Sequence, residues 1–147
     1  MKWEDALIIV ANQGEFKAFT VAEHERTIQN EIRTVYTPEL INEVDYIEAH
    51  KKLQDVVTDS AGRFGHTNGE EHELENERKR RNLNDVAETI ERVVAFANPK
   101  KIYLAFPQEY NAQLLSMLPA NIREKIVTNL PRDLVKTPHS ELLDYFA

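Results

Sequence analysis

Cysteine is missing from all 147 residues, so disulfides, thiol nucleophiles and thiolate metal sites are excluded from the start. Glycine is nearly as scarce: there are four, Gly14, Gly62, Gly65 and Gly69. Gly62 and Gly65 do not fall in a strand–loop–helix Walker pattern, so no phosphate-cradling loop is expected. Long apolar runs are also lacking. The run Ala6 to Ala11 is far short of the roughly 20 residues that a membrane span needs. Glu4 and Asp5 precede it, where a signal peptide would carry positive charge. The expectation is a cytoplasmic protein with no membrane contact. Cations are in deficit, 18 Lys and Arg against 25 Asp and Glu, and the resulting net charge of −7 disfavours a broad grip on a phosphate backbone.

What remains is the composition of a globular domain. The hydrophobic fraction is 41% and the charged fraction 29%, outside the range of disordered chains. The length suits one domain over residues 1–147, large enough to bury a core without staples. Ala6-Leu7-Ile8-Ile9-Val10-Ala11 is continuous and rich in β-branched types, as a strand buried on both faces should be. Asn12-Gln13-Gly14 is a turn signal, and residues 15–22 read as a second strand, antiparallel to the first. Residues 23–40 fit neither the helical nor the strand period. Ile41, Val44, Tyr46 and Ile47 suggest a third strand beginning after Thr37-Pro38.

Leu83, Val86, Ala87, Ile90, Val93, Val94 and Ala97 recur at three- and four-residue intervals, which predicts a long helix with one apolar stripe. Its first half, Glu70 to Arg81, is almost wholly charged, and Asn98-Pro99 supplies the stop. Residues 101–106 form a strand, Pro107 opens a helix ending near Leu118, and Glu124 to Leu130 form a last strand. Thr137-Pro138 then starts a short helix, with Thr137 as N-cap and Leu142, Leu143 and Phe146 turned inward. An antiparallel meander, a long helix and a βαβα segment predict an α/β protein with a mixed sheet and helices packed on it. Trp3, Phe16, Phe19, Phe96, Tyr103 and Phe106 fall in strands or on the helix stripe and are expected in the core.

Function points to the segment between the meander and the long helix. Residues 51–69 are polar and hold three of the four glycines, and loops this long in small domains lean functional. Within it, Asp59, Gly62, Arg63, Phe64, Gly65 and His66 are the candidate binding residues. Arg63 beside Phe64 pairs a guanidinium with a ring, a combination that suits a phosphate and a stacked base. The only dense basic run, Arg78-Lys79-Arg80-Arg81, points around most of a helix and follows acids spaced for pairs such as Glu75–Lys79 and Glu77–Arg81. A self-paired, solvated helix is the simpler reading. The sharper one joins Arg78 and Arg81 to Arg63 as a local anion patch.

Catalytic sets are harder to find. Ser60, Ser116 and Ser140 lack a nucleophile-elbow context. His66 and His72, near Glu71, Glu73 and Glu75, match no recognised metal spacing, so neither a metal nor another cofactor is expected.

The order of these features resembles the host-attachment protein family. The resemblance rests on the strand ending Ala11-Asn12 followed by Phe16-Lys17-Ala18-Phe19. It continues in Val57-Thr58-Asp59-Ser60-Ala61-Gly62-Arg63-Phe64. Beyond the strand that closes on Pro107 it takes in Leu114-Leu115, Leu118-Pro119, Ile122-Arg123, Asp133-Leu134, Thr137-Pro138 and Glu141-Leu142. It covers most of the chain, with residues 23–40 fitting worst. The family is similar in turn to the middle domain of archaeo-eukaryotic peptide-chain release factors. That similarity implies an RNase-H-like sheet, with the 58–69 loop where release factors carry Gly-Gly-Gln. This chain has no Gly-Gly-Gln, which removes the residues for ester hydrolysis at the ribosome. A two-metal nuclease on such a sheet would need converging carboxylates, and Asp5, Asp59 and Glu109 do not lie mid-strand. The resemblance therefore implies a non-enzymatic protein that contacts ribosome or RNA through residues 58–69, with an indirect link to attachment. The alternative is an acidic module for a protein partner. An RNase-H-like hydrolase ranks third.

Overall fold

The computed structural model describes residues 2–46 and 68–147, with the backbone alone over residues 68–80. The chain opens with β1 (Ala6–Ala11), β2 (Glu15–Ile28) and β3 (Glu31–Asp45). Helix α1 (Asn68–Ala97) leads to β4 (Lys101–Ala105). Two helices, α2 (Gln108–Met117) and α3 (Ala120–Arg123), precede β5 (Ile126–Leu130). The chain closes with α4 (His139–Leu142) and a 3-10 turn (Leu143–Phe146). The strands form one mixed sheet in the order β3-β2-β1-β4-β5. β1 is antiparallel to β2 and parallel to β4, and β4 is parallel to β5. The expected α/β order of meander, long helix and βαβα is the order found.

β1 is central because all six of its residues are apolar and all are buried, so it needs cover on both faces. On one face Leu7, Ile9 and Ala11 meet Leu83, Val86 and Ile90 of α1 and Leu114 of α2. On the other, Ile8 and Val10 meet Phe19, Tyr103, Leu134, Leu142 and Phe146. Each large side chain so buried contributes about 1.5–3 kcal/mol relative to exposure. α1 stops as its sequence predicts. Asn98 takes a positive φ of 46° and its N–H donates to the Val94 carbonyl at 2.8 Å, a left-handed cap followed by Pro99.

Four details differ from the sequence expectations. β2 runs on to Ile28 and β3 starts at Glu31, turning through Gln29 and Asn30 at φ of 53° and 65°, as in a two-residue type I′ turn. Residues 23–34 are exposed throughout, so no hydrophobic alternation marks them as strand. Pro38 lies inside β3, which is the terminal strand among the described residues, where a missing donor can be spared. β5 begins at Ile126, because residues 120–123 form the extra helix α3 and Glu124 caps it. Thr137 is not the N-cap of the last helix: Pro138 occupies that position, with no side-chain cap bond.

The pairings also give one projection and a direction for α1. β1 pairs with β2 only over Phe16 to Phe19, so the β2–β3 ribbon beyond Ala22 extends about 20 Å past the amino end of β1. α1 runs the other way. Thr89 lies by Tyr46 at the carboxyl end of β1, whereas Ala97 and Asn98 lie by Trp3 and Asp5 at the amino end. Leu83 is the first buried residue among its described side chains, and the helical backbone runs back from there to Asn68.

Candidate functional site

At the carboxyl ends of β1, β4 and β5 the chain makes a polar rim. Asn12 follows β1 directly. Its Oδ1 accepts from the N–H groups of Gly14 (2.8 Å) and Glu15 (2.7 Å), closing the hairpin turn. Its Nδ2 donates to Asp133 Oδ2 at 3.0 Å. The second oxygen of Asp133 accepts the Val135 N–H at 3.1 Å, and Lys17 Nζ donates to the Val135 carbonyl at 3.1 Å. One asparagine thus ties the first turn to the segment after β5, 121 residues away in sequence.

The start of α2 is fastened to the same rim. Buried Asn111 donates from Nδ2 to the Phe106 carbonyl (3.0 Å) and to Asn129 Oδ1 (2.8 Å). Asn129 Nδ2 returns a bond to Asn111 Oδ1 at 2.7 Å. Pro107 caps α2 without a side-chain bond, and Tyr110 leaves helical geometry at φ −125° and ψ 15°. Between the turn and α2 lies an open cavity of about 500 Å³, lined among others by Gln13, Glu15, Pro107, Glu109, Asp133 and Lys136. The Nε2 of Gln13 is buried without a hydrogen-bond partner among the described residues. The volume is within the usual range for ligand sites, and clefts at the carboxyl ends of parallel strands are where α/β sheets commonly bind ligands.

The rim is also where the chain leaves the sheet for residues 47–67. The Tyr46 N–H donates to the Gly14 carbonyl at 2.8 Å, and its hydroxyl donates to Thr89 Oγ1 at 2.6 Å. Thr89 Oγ1 in turn donates to the Asp85 carbonyl at 2.8 Å. Burial pushes the Tyr46 hydroxyl up from 10.0 to about 12, against the opposing effect of the Thr89 bond.

The candidate residues Asp59, Gly62, Arg63, Phe64, Gly65 and His66 lie outside the described residues. So do the side chain of Arg78 and the proposed pairs Glu75–Lys79 and Glu77–Arg81. Arg81 is described, and it is exposed on α1. The structure therefore brings together a set that the sequence reading did not propose as a site: Asn12, Gln13, Glu109, Asn111, Asn129 and Asp133. The sequence signals were Asn12 in a turn, Pro107 before a helix, Glu109 as a carboxylate weighed and set aside, and Asp133 in the ordered family motifs. The rest depends on strand order. Among the described residues no three His, Asp or Glu side chains gather closely enough to hold a metal ion. Also among them, no helix is long and apolar enough to cross a membrane.

The fold and rim define a mixed-sheet α/β protein with helices on both faces and an open cleft at the carboxyl ends of its parallel strands. Within that class, this chain belongs to the host-attachment family, whose model is described as "Protein required for attachment to host cells" and matches residues 7–146. Among curated proteins, none matches the chain.

Proposed function

We propose that this chain is a non-enzymatic binding protein, RNase-H-like in fold and related to the middle domain of archaeo-eukaryotic release factors. In this reading it works in the cytoplasm, contacts ribosome or RNA through residues 58–69, and influences attachment indirectly. The observation that supports it is the exit of the chain at Tyr46, beside the carboxyl-end cavity, into the segment carrying Arg63 and Phe64. The cavity itself is acidic, with Glu15, Glu109 and Asp133 against Lys136, so phosphate contact falls to Arg63, Arg78 and Arg81. A non-enzymatic role fits the employment of Asp133, whose two oxygens already accept from Asn12 and Val135.

The test is co-sedimentation with ribosomes from the same cell type at low and moderate salt, beside an Arg63→Ala, Phe64→Ala variant. The expected result is binding that weakens steeply with salt and is lost in the variant. Absence of binding at low salt sinks the ribosome reading. The second reading, an acidic module for a protein partner, is favoured by one specific observation: Phe96 is 85% exposed on a flank of α1.

A further inference from the structure

The outer part of the β2–β3 ribbon is a two-stranded element without cover. Every residue from Glu23 to Thr34 is exposed, and the apolar Ile32 is 73% exposed. Two strands alone are marginally stable in water, and further strands are the usual remedy. Nearer the core the edge of β3 is blunted twice. Pro38 removes a donor, and a bulge leaves Ile41 unpaired, since Ala18 pairs with Asn42 and Phe19 with Leu40. The stretch from Glu31 to Thr34 has neither device.

That stretch also presents hydrogen-bonding groups. Ile28 and Glu31 close the two-residue turn as a hydrogen-bonded pair, so alternation along the ladder turns the N–H and C=O of Ile32 and Thr34 away from β2. Among the described residues β3 pairs with β2 alone, and the ion pair here, Glu31 to Arg33 at 3.6 Å, lies within the strand. This edge is also beyond reach of the 21 residues that join Tyr46 to Asn68, which span about 75 Å at most. Ile32 is about 45 Å from Tyr46 along β3, and twice that there and back. α1 starts no nearer, since it passes Tyr46 at Thr89 and ends by Trp3.

We infer that a second copy of this chain pairs antiparallel with this edge, β3 against β3, about a two-fold axis between the two Ile32 residues. A two-fold normal to the sheet keeps each face on its own side, so only residues of equal parity can oppose one another. Glu31 and Arg33 meet that condition. Centring on Ile32 sets Glu31 of each copy against Arg33 of the other and covers Ile32 with its own counterpart. The outer edge of β2 has no such register. There Arg26 would have to meet Glu23 or Glu25, which lie on the opposite face. The product is a four-stranded ribbon with two complementary charge pairs, a small contact of the weak and transient kind.

The experiment is sedimentation equilibrium of the full chain from micromolar to millimolar concentration, at low and high salt. A monomer–dimer equilibrium that weakens with salt is expected. Glu31→Arg and Arg33→Glu each oppose like charges twice and should each weaken self-association by about tenfold. Mixing the two variants restores both opposite pairs, so the mixture should associate as tightly as the parent. So should the Glu31→Arg, Arg33→Glu double variant. The replaced side chains are exposed, and circular dichroism should show every variant folded. Loss of the Glu31–Arg33 bridge within one chain cannot produce association in the mixture, so this readout separates contact from fold. A parent that stays monomeric throughout the range overturns the proposal and leaves the edge to another protein. So does a dimer indifferent to both single variants, or a mixture that associates no better than either variant alone.

Discussion

Tyr46 shows how one side chain can organise a junction. It is 5% exposed, its N–H holds the first turn, and its hydroxyl reaches Thr89 across the groove end of α1. The folded state holds the hydroxyl proton more tightly than the unfolded chain does. Its stabilising effect is therefore whole below pH 10 and is lost as pH rises towards about 12. Tyr46→Phe should flatten the fall in stability across that window, by roughly 2–3 kcal/mol at its upper end, in urea titrations at stepped pH. Near neutrality the same change should cost about 1 kcal/mol for the lost hydrogen bond. Tyr46 was legible in the sequence only as an apolar position of a third strand; it lies one residue beyond β3. Phe96 was misread for a similar reason. Both are aromatics near a hydrophobic stripe, and only the angle around α1 or the end of a ladder separates core from rim.

At the scale of elements, local chemistry and tertiary pairing divide the work. α1 was legible at both ends of its apolar stripe because Leu83 to Ala97 keep one face and Asn98-Pro99 can do nothing but end it. Asn98 sits in the left-handed region, where a Cβ without a polar partner costs about 1 kcal/mol. Asn98→Ala should lower stability by about that amount, whereas Asn98→Gly should leave it level or raise it. Urea midpoints of the two variants decide this. The β2–β3 ribbon was not legible beyond Ala22. A strand wet on both faces has no period to read, and Gln29-Asn30 is a weaker turn signal than Asn-Gly.

For the whole molecule, the outer part of the β2–β3 ribbon stands apart from the described core, which packs on β1 and its neighbours. No buried residue lies between Thr20 and Asp45. Replacing residues 24–35 by Asn-Gly should therefore leave the thermal midpoint within a few degrees of the parent, measured by calorimetry. A collapse of the midpoint would show that the ribbon supports the core after all.

The sequence alone determined the class of fold, the two-faced burial of β1, the length and stop of α1, and membership of the host-attachment family. These follow from local periods, caps and ordered motifs that need no partner to be read. Only the tertiary structure decided what converges. Asn12 meets Asp133 and Asn111 meets Asn129 because β1, β4 and β5 are parallel and end at one rim. Phe96 and Ile41 line one open groove because α1 passes beside β3 at its bulge. Such meetings are set by strand order and register, which depend on long-range burial and leave no mark at any single position of the chain.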